Sequence, residues 1–94
     1  MKLIDLTQLT HYMSPKSRLY WQDASAILPV AQVKFATSGP NLMIVTGQHP
    51  MTLSQLQTRL QDMSSETQLF ASDGQPIFGF HLQLEHPVPH IILK

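Results

Sequence analysis

The sequence predicts a small single α+β domain over residues 1–94, with a mixed, mostly antiparallel sheet and one main helix packed on one face. Three observations support this prediction. Apolar residues recur at spacings of three and four within residues 53–63, as in an amphipathic helix. Short apolar or alternating segments surround that helix, as expected for strands. No repeat, low-complexity run or linker divides the chain, and a domain of this size buries about two thirds of its unfolded surface.

The helix has the clearest start signal in the chain. Thr52 and Gln55 match a capping box, in which each side chain bonds the backbone amide of the other residue. Met51 and Leu56 occupy the positions of a hydrophobic staple. We expect the buried face of this helix to consist of Leu53, Leu56, Leu60 and Met63.

Two strands are predicted before the helix. Residues 26–37 alternate between apolar and polar positions, and Pro29 indicates an edge or a bulge near their start. Residues 38–41 form a turn cluster, and residues 42–45 are apolar on both faces, which is typical of a central strand. We expect the two strands to form an antiparallel hairpin.

Three strands are predicted after the helix. Residues 68–72 should pair in parallel with residues 42–45, because a helix separates them. Asp73-Gly74 is a hairpin signal leading into residues 77–85, and a last strand covers residues 90–93. That last strand must be paired within the chain or across a dimer, because an exposed apolar edge promotes aggregation. In the strand at 77–85 one face is expected to carry Phe78, Phe80, Leu82 and Leu84.

The first 23 residues give weaker signals. Residues 2–6 fit a short strand, followed by a helical turn that Thr7 could cap, although the apolar spacing also fits a helix. Residues 16–23 have no clear period and are predicted to be irregular. The inner order of elements, ββαββ, resembles the ubiquitin-like β-grasp, and such a likeness concerns the fold and implies no function.

Composition narrows the functional classes. The chain has no cysteine, which excludes disulfides and thiolate sites, and its six basic and six acidic residues argue against a nucleic-acid partner. Charged residues make up only 13% of the sequence, which favours self-association into a homodimer. No signal peptide and no apolar stretch of about 20 residues is visible, so we expect a cytoplasmic protein without a membrane span.

Histidines are the main candidates for a metal site. His81, Glu85, His86 and His90 lie within ten residues and offer ligands that first-row metals use. Their spacing does not match a metal-binding motif, and the sequence favours the alternative that they are surface histidines on strands. The turn between His86 and His90 could bring these two side chains together as a cross-strand pair.

Two further groups are candidates for binding a ligand or partner. His49 precedes the helix and could help the helix amides to hold an anion. Lys16, Arg18, Tyr20 and Trp21 combine basic and aromatic side chains, as phosphate or base binding would require. The alternative is that these aromatic residues fold onto the sheet. The sequence has no nucleophile elbow or nucleotide-binding glycine loop, so it offers no catalytic residue and no cofactor, and it favours a non-enzymatic role.

Part of the C-terminal half resembles a pattern in small uncharacterised bacterial and phage α+β proteins. The resemblance rests on residues 50–56, Leu60, residues 66–69, Asp73-Gly74 and residues 76–79. These segments give a "Thr-hydrophobic-x-x-Leu" helix start, a short strand, and a turn leading to a strand with a hydrophobic-Gly pair. The resemblance implies no activity and assigns no catalytic residue.

The leading hypothesis is therefore a cytoplasmic protein-interaction or oligomerisation domain that dimerises through a sheet edge or an apolar patch. The alternative hypothesis is a small ligand- or metal-binding regulatory domain that uses the C-terminal histidines.

Overall fold

The structure, a computed structural model, describes residues 1–35, 41–61, 63–64 and 66–94. Residues 36–40 of the predicted turn and strand end lie outside the described residues. The chain forms an α+β fold, as the sequence predicts. Its elements are α1 Leu3–Thr10, β1 Arg18–Gln22, β2 Ile27–Phe35, β3 Leu42–Thr46, α2 Leu53–Leu60, β4 Leu69–Phe70, β5 Phe80–Gln83 and β6 His90–Leu93.

The six strands form one mixed sheet in the order β4-β3-β2-β1-β6-β5. Strands β1/β2, β2/β3 and β5/β6 pair antiparallel, whereas β1/β6 and β3/β4 pair in parallel. The predicted antiparallel pairing of β2 with β3 is therefore confirmed, with a register shift between Val30 and Gln32. The predicted parallel pairing of β3 with β4, on either side of α2, is also confirmed.

The start of α2 follows its local sequence. The Thr52 hydroxyl accepts from the Gln55 amide at 3.1 Å, and Gln55 Oε1 accepts from the Thr52 amide at 2.9 Å, so the capping box is formed. Leu53, Leu56 and Leu60 are buried, as their spacing predicts. Met63 lies beyond the helix and packs against the core while half-buried.

A second helix corrects the prediction of one main helix. Residues 3–10 form α1, which has the same length of eight residues as α2, rather than a strand followed by a capped turn. The Lys2 side chain makes no capping bond. Instead, the Leu3 amide donates to the Thr67 carbonyl at 2.7 Å, so a distant part of the chain holds the helix start. Leu3 and Leu6 enter the same core as the apolar face of α2.

Strand β1 corrects the prediction that residues 16–23 are irregular. It is an inner strand between β2 and β6, and its Leu19 is fully buried. One partner is adjacent in sequence, and the other is the last strand of the chain. Because β6 lies some 70 residues away, local periodicity alone could not reveal the burial of β1.

The segment after α2 forms the predicted tight turn but not the predicted β4–β5 hairpin. Gly74 has φ 87°, and its amide donates to the Ala71 carbonyl at 2.9 Å. Beyond the turn, only an isolated bridge joins Phe70 and Pro76. Strand β5 pairs with β6 instead, so the ββαββ core is not found.

The predicted alternation of residues 77–85 is also corrected. Ile77 is fully buried, whereas Phe78 is 82% exposed. The amides of Phe78 and Gly79 both donate to the Lys94 carbonyl, at 2.9 and 3.1 Å. This irregularity interrupts the strand before Phe80, so regular alternation does not extend back to Ile77.

Strand β6 lies inside the sheet, between β1 and β5, and its Ile91 and Leu93 join the core. Of the two pairings that the sequence leaves open for this strand, the structure shows the one within the chain. The outermost strands are β4 and β5. Among the described residues, no helix is long and apolar enough to cross a membrane.

Candidate functional site

The outer face of the sheet, opposite the core, brings two predicted groups of residues together. Leu19 and Trp21 contribute to the core or pack against it, so alternation places Arg18 and Tyr20 on the outer face. In the parallel pairing of β1 with β6, Arg18 is the register partner of His90. A residue predicted to bind phosphate and a residue predicted to bind metal are therefore neighbours.

Three rings form a row on this face, which we call the aromatic row: His86, His90 and Tyr20. The rings of His86 and His90 are stacked, with centroids 3.8 Å apart and planes 11° apart. The rings of His90 and Tyr20 have centroids 4.5 Å apart and planes at 35°. The predicted pairing of His86 with His90 is thus present, and the Gln83 Oε1 atom accepts from His86 Nε2 at 3.0 Å.

The surroundings of His90 disfavour its protonated form. Its pKa lies below the ordinary histidine value, mainly because burial removes hydration from the charged ring. Repulsion from His86 and Arg18 lowers this pKa further, while the Glu85 carboxylate opposes the shift. His90 is therefore the neutral centre of a site whose neighbours carry or can acquire positive charge.

Of the four residues of the predicted metal site, His81 and Glu85 lie outside the aromatic row. His81 pairs in register with Ile92 on the outer face, and its Nδ1 atom is buried without a hydrogen-bond partner among the described residues. Glu85 is exposed in the turn after β5. Nowhere in the described ranges do three or more His, Cys, Asp or Glu residues form a group that could hold a metal ion.

The stacking of His86 and His90 also bears on metal binding. Imidazole nitrogens bind a metal through lone pairs in the ring plane, and nearly parallel planes do not direct two lone pairs at one ion. One ring would have to rotate, and His86 would have to release Gln83 if it used Nε2. The metal site stays a prediction that requires this rearrangement.

The other predicted binding residues lie apart from the aromatic row. Trp21 is half-buried and packs against the core, as the alternative interpretation of that segment predicts. Lys16 is exposed in the loop before β1. His49 is exposed in the loop before α2.

The amides at the start of α2 are engaged within the chain. The amide of Leu53 donates to the Ser17 carbonyl at 2.7 Å, and the amide of Ser54 donates to the Pro15 carbonyl at 3.0 Å. The Gln55 amide is bonded to the Thr52 hydroxyl. The predicted anion site at His49 relied on free helix amides, and the described contacts use these amides to hold the loop before β1.

Sequence reasoning missed an open groove between the two helices, with a volume of about 520 Å³. It was missed because residues 3–10 were expected to begin as a strand, so no second helix was available to form a wall. The described side chains along the groove are uncharged, and they include Leu6, Thr10, Leu53, Leu56 and Leu60.

Comparison of the chain with protein-family models, with curated proteins and with solved structures finds no match. The resemblance to small bacterial and phage proteins stays an expectation.

Proposed function

We propose that this protein is a small, non-enzymatic, cytoplasmic interaction domain that forms a homodimer by pairing β5 with β5 of a second copy. The observation that carries the proposal is the open outer edge of β5, flanked by two exposed apolar side chains. Phe78 is 82% exposed immediately before this strand, and Leu84 is 64% exposed immediately after it. Residues 77–84 include no Asp, Glu, Lys or Arg, so charge does not oppose the approach of a second copy.

The backbone alternation indicates which groups are available at this edge. Gly79 exchanges both backbone hydrogen bonds with Lys94, at 3.1 and 3.0 Å. In an antiparallel ladder such pairs recur at every second residue, so the backbone groups of His81 and Gln83 face β6. Those of Phe80 and Leu82 then face the open side, where no strand pairs with them in the described part of the chain.

The same alternation selects a register. A two-fold axis through His81 would place Phe80 opposite Leu82 of the second copy, and each pair could exchange hydrogen bonds in both directions. In this register Phe78 lies at the same end of the strand pair as Leu84 of the second copy, displaced from regular alternation by the double contact with the Lys94 carbonyl. The two exposed side chains at the ends of β5 would then cover each other, which removes apolar surface from water.

The proposed interface is small. It consists of a strand of four residues and its two flanking side chains. Interfaces below roughly 1,200 Å² are typical of weak or transient association. We therefore expect a dimer that dissociates on dilution rather than an obligate one, and adding a strand at an unprotected edge is an established form of recognition.

Light scattering coupled to size exclusion, at several protein concentrations, tests the proposal. The wild-type protein should approach the dimer mass as concentration rises. The double variant F78K/L84K should remain monomeric, because like charges would oppose each other in the proposed register. The variant F78K/L84E should dimerise more strongly than F78K/L84K, because each introduced lysine would face a glutamate of the second copy.

A matched control separates the register from a general effect of surface charge. Phe35 is 68% exposed at the end of β2, away from β5, so F35K should leave dimerisation unchanged. Circular dichroism checks that each variant is folded. A monomeric wild type at every concentration would overturn the proposal, and equal behaviour of F78K/L84K and F78K/L84E would overturn the register.

A further inference from the structure

We infer that Arg18, together with His86 and His90 of the aromatic row, forms a binding site for a tetrahedral oxyanion such as a phosphate or sulfate group. This inference is independent of the proposed dimer, because it concerns side chains on the outer face of the sheet. It rests on the position of Arg18 beside His90, on the stacking of the two histidines, and on the charge around them.

The positive charge of Arg18 is not balanced by an ion pair among the described residues. Its side chain is exposed, and no carboxylate lies within salt-bridge distance of it among the described residues. The Glu85 carboxylate raises the pKa of His90, but it acts on His90 less strongly than Arg18 or His86 does. Among the described residues, the site therefore holds a cation and two imidazoles, and the Glu85 carboxylate only partly offsets their charge.

The charge and the ring geometry of the site suit an anion better than a metal cation. Arg18 repels a cation, and the near-parallel rings of His86 and His90 do not aim two lone pairs at one ion. An oxyanion needs donors instead. A guanidinium presents several N–H groups in a planar fork that suits phosphate, and a protonated histidine donates from both ring nitrogens. His86 already donates from Nε2 to Gln83, so in its protonated form Nδ1 is the donor left for an anion.

Anion binding at this site should be coupled to protonation of its histidines. The titratable or charged groups around His90 are Arg18 and Tyr20 from β1, Glu85 and His86 from the turn, and His81 from β5. A bound dianion would offset the repulsion from Arg18 and His86, so protonation of the imidazoles and anion binding should favour each other. Because the pKa of His90 is lowered by burial and by its cationic neighbours, the affinity should rise as pH falls below the ordinary histidine range.

Titration with sodium sulfate tests the inference, because sulfate stays a dianion throughout this pH range. Histidine side-chain NMR follows the rings of His86 and His90, and the exposed His11 and His49 serve as internal references. Ionic strength is held constant with sodium chloride to remove general screening. We expect saturable shifts at His86 and His90 only, with an affinity about fivefold or more higher near pH 5.5 than near pH 7.5.

Two variants complete the test. R18Q should weaken sulfate binding by about tenfold or more, because it removes the charged fork. R59Q removes an exposed arginine from α2 and should change the affinity by less than about twofold. Equal shifts at His86, His90 and the two reference histidines, unchanged binding in R18Q, or an affinity that does not depend on pH would each overturn the inference. Inorganic phosphate near pH 7.5, where it is mostly a dianion, should shift the same two rings as sulfate does.

Discussion

The central region, residues 42–76, and the two terminal segments, residues 1–22 and 77–94, reach their structures by different routes. In the central region, the capping box of α2 and the turn at Gly74 are determined by neighbouring residues. In the terminal segments, the N-terminus of α1 and the pairing of β6 with β1 involve residues far apart in sequence. Local sequence patterns are therefore sufficient to predict parts of the central region, whereas tertiary contacts determine the structure of the terminal segments.

The two helix starts make the comparison concrete. The start of α2 uses the side chains of Thr52 and Gln55, which lie three residues apart. The start of α1 has no side-chain cap, and the carbonyl of Thr67 accepts from the amide of Leu3. Both helices nevertheless bury leucines in one core. We expect equally buried leucines to stabilise the protein to a similar extent in both helices, despite these different starts.

The largest expected effect is the loss of a buried leucine from either helix. Leu6 in α1 is 2% exposed and Leu56 in α2 is 4% exposed. L6A and L56A should each lower the free energy of unfolding by about 2–5 kcal/mol, because each removes buried apolar surface and leaves a cavity. Urea unfolding measures both values. A much smaller effect of L6A would show that α1 is not part of the cooperative core.

A matched control for these variants is Leu9, which belongs to α1 but is 54% exposed. L9A should change the free energy of unfolding by less than about 0.5 kcal/mol, as expected for a surface substitution. A large effect of L9A would mean that replacing any leucine destabilises α1. The effect of L6A could then not be attributed to burial.

The next effect distinguishes the two helix starts. T52A should lower the free energy of unfolding by about 1 kcal/mol, since it removes the hydroxyl that accepts from the Gln55 amide. T52S should retain most of the stability, because serine supplies the same acceptor. K2A should leave the urea midpoint unchanged, since the Lys2–Glu66 ion pair is exposed and the backbone contacts at the start of α1 remain. A K2A effect as large as that of T52A would show that α1 also depends on a local side-chain signal.

Glycine replacements give a contrast of similar size between the regions. G74A should destabilise the protein by about 1 kcal/mol, because φ at this position is 87° and alanine adopts that conformation at a cost. G79A should be nearly neutral, since Gly79 has no positive φ and a Cβ there would meet no atom within 4 Å. Urea unfolding measures the stability of both variants. Equal destabilisation would mean that the positive φ of Gly74 does not explain the effect of G74A.

Much of the central region could be predicted because its signals act over a few residues. Thr52 and Gln55 indicated the helix start, and Asp73-Gly74 indicated the turn. The position of β1 could not be predicted, since its burial depends on a parallel strand at the other end of the chain. The exposure of Phe78 was missed because the double contact with the Lys94 carbonyl involves a residue far along the sequence.

The candidate site was predictable as residues but not as a site. Basic and aromatic types singled out Arg18 and Tyr20, and spacing singled out His86 and His90. The sequence treated them as separate groups with different ligands. Only the β1–β6 register places Arg18 beside His90, and the charges around His90 are the basis of the inferred anion site.

The smallest expected effect is a pH dependence of stability arising from the terminal segments. The pKa of His90 is lowered in the folded protein, chiefly by burial. The unfolded chain therefore binds a proton more readily, and stability that is complete above about pH 6.5 should decline as pH falls through the folded pKa.

H90Q should flatten the dependence of the urea midpoint on pH between about 7.5 and 5. The exposed His49 provides the control, because H49Q should keep the wild-type pH dependence. These measurements are made in chloride buffers, since an oxyanion bound beside His90 would offset the same repulsion. A wild-type slope in H90Q would mean that other groups cause the loss of stability at low pH.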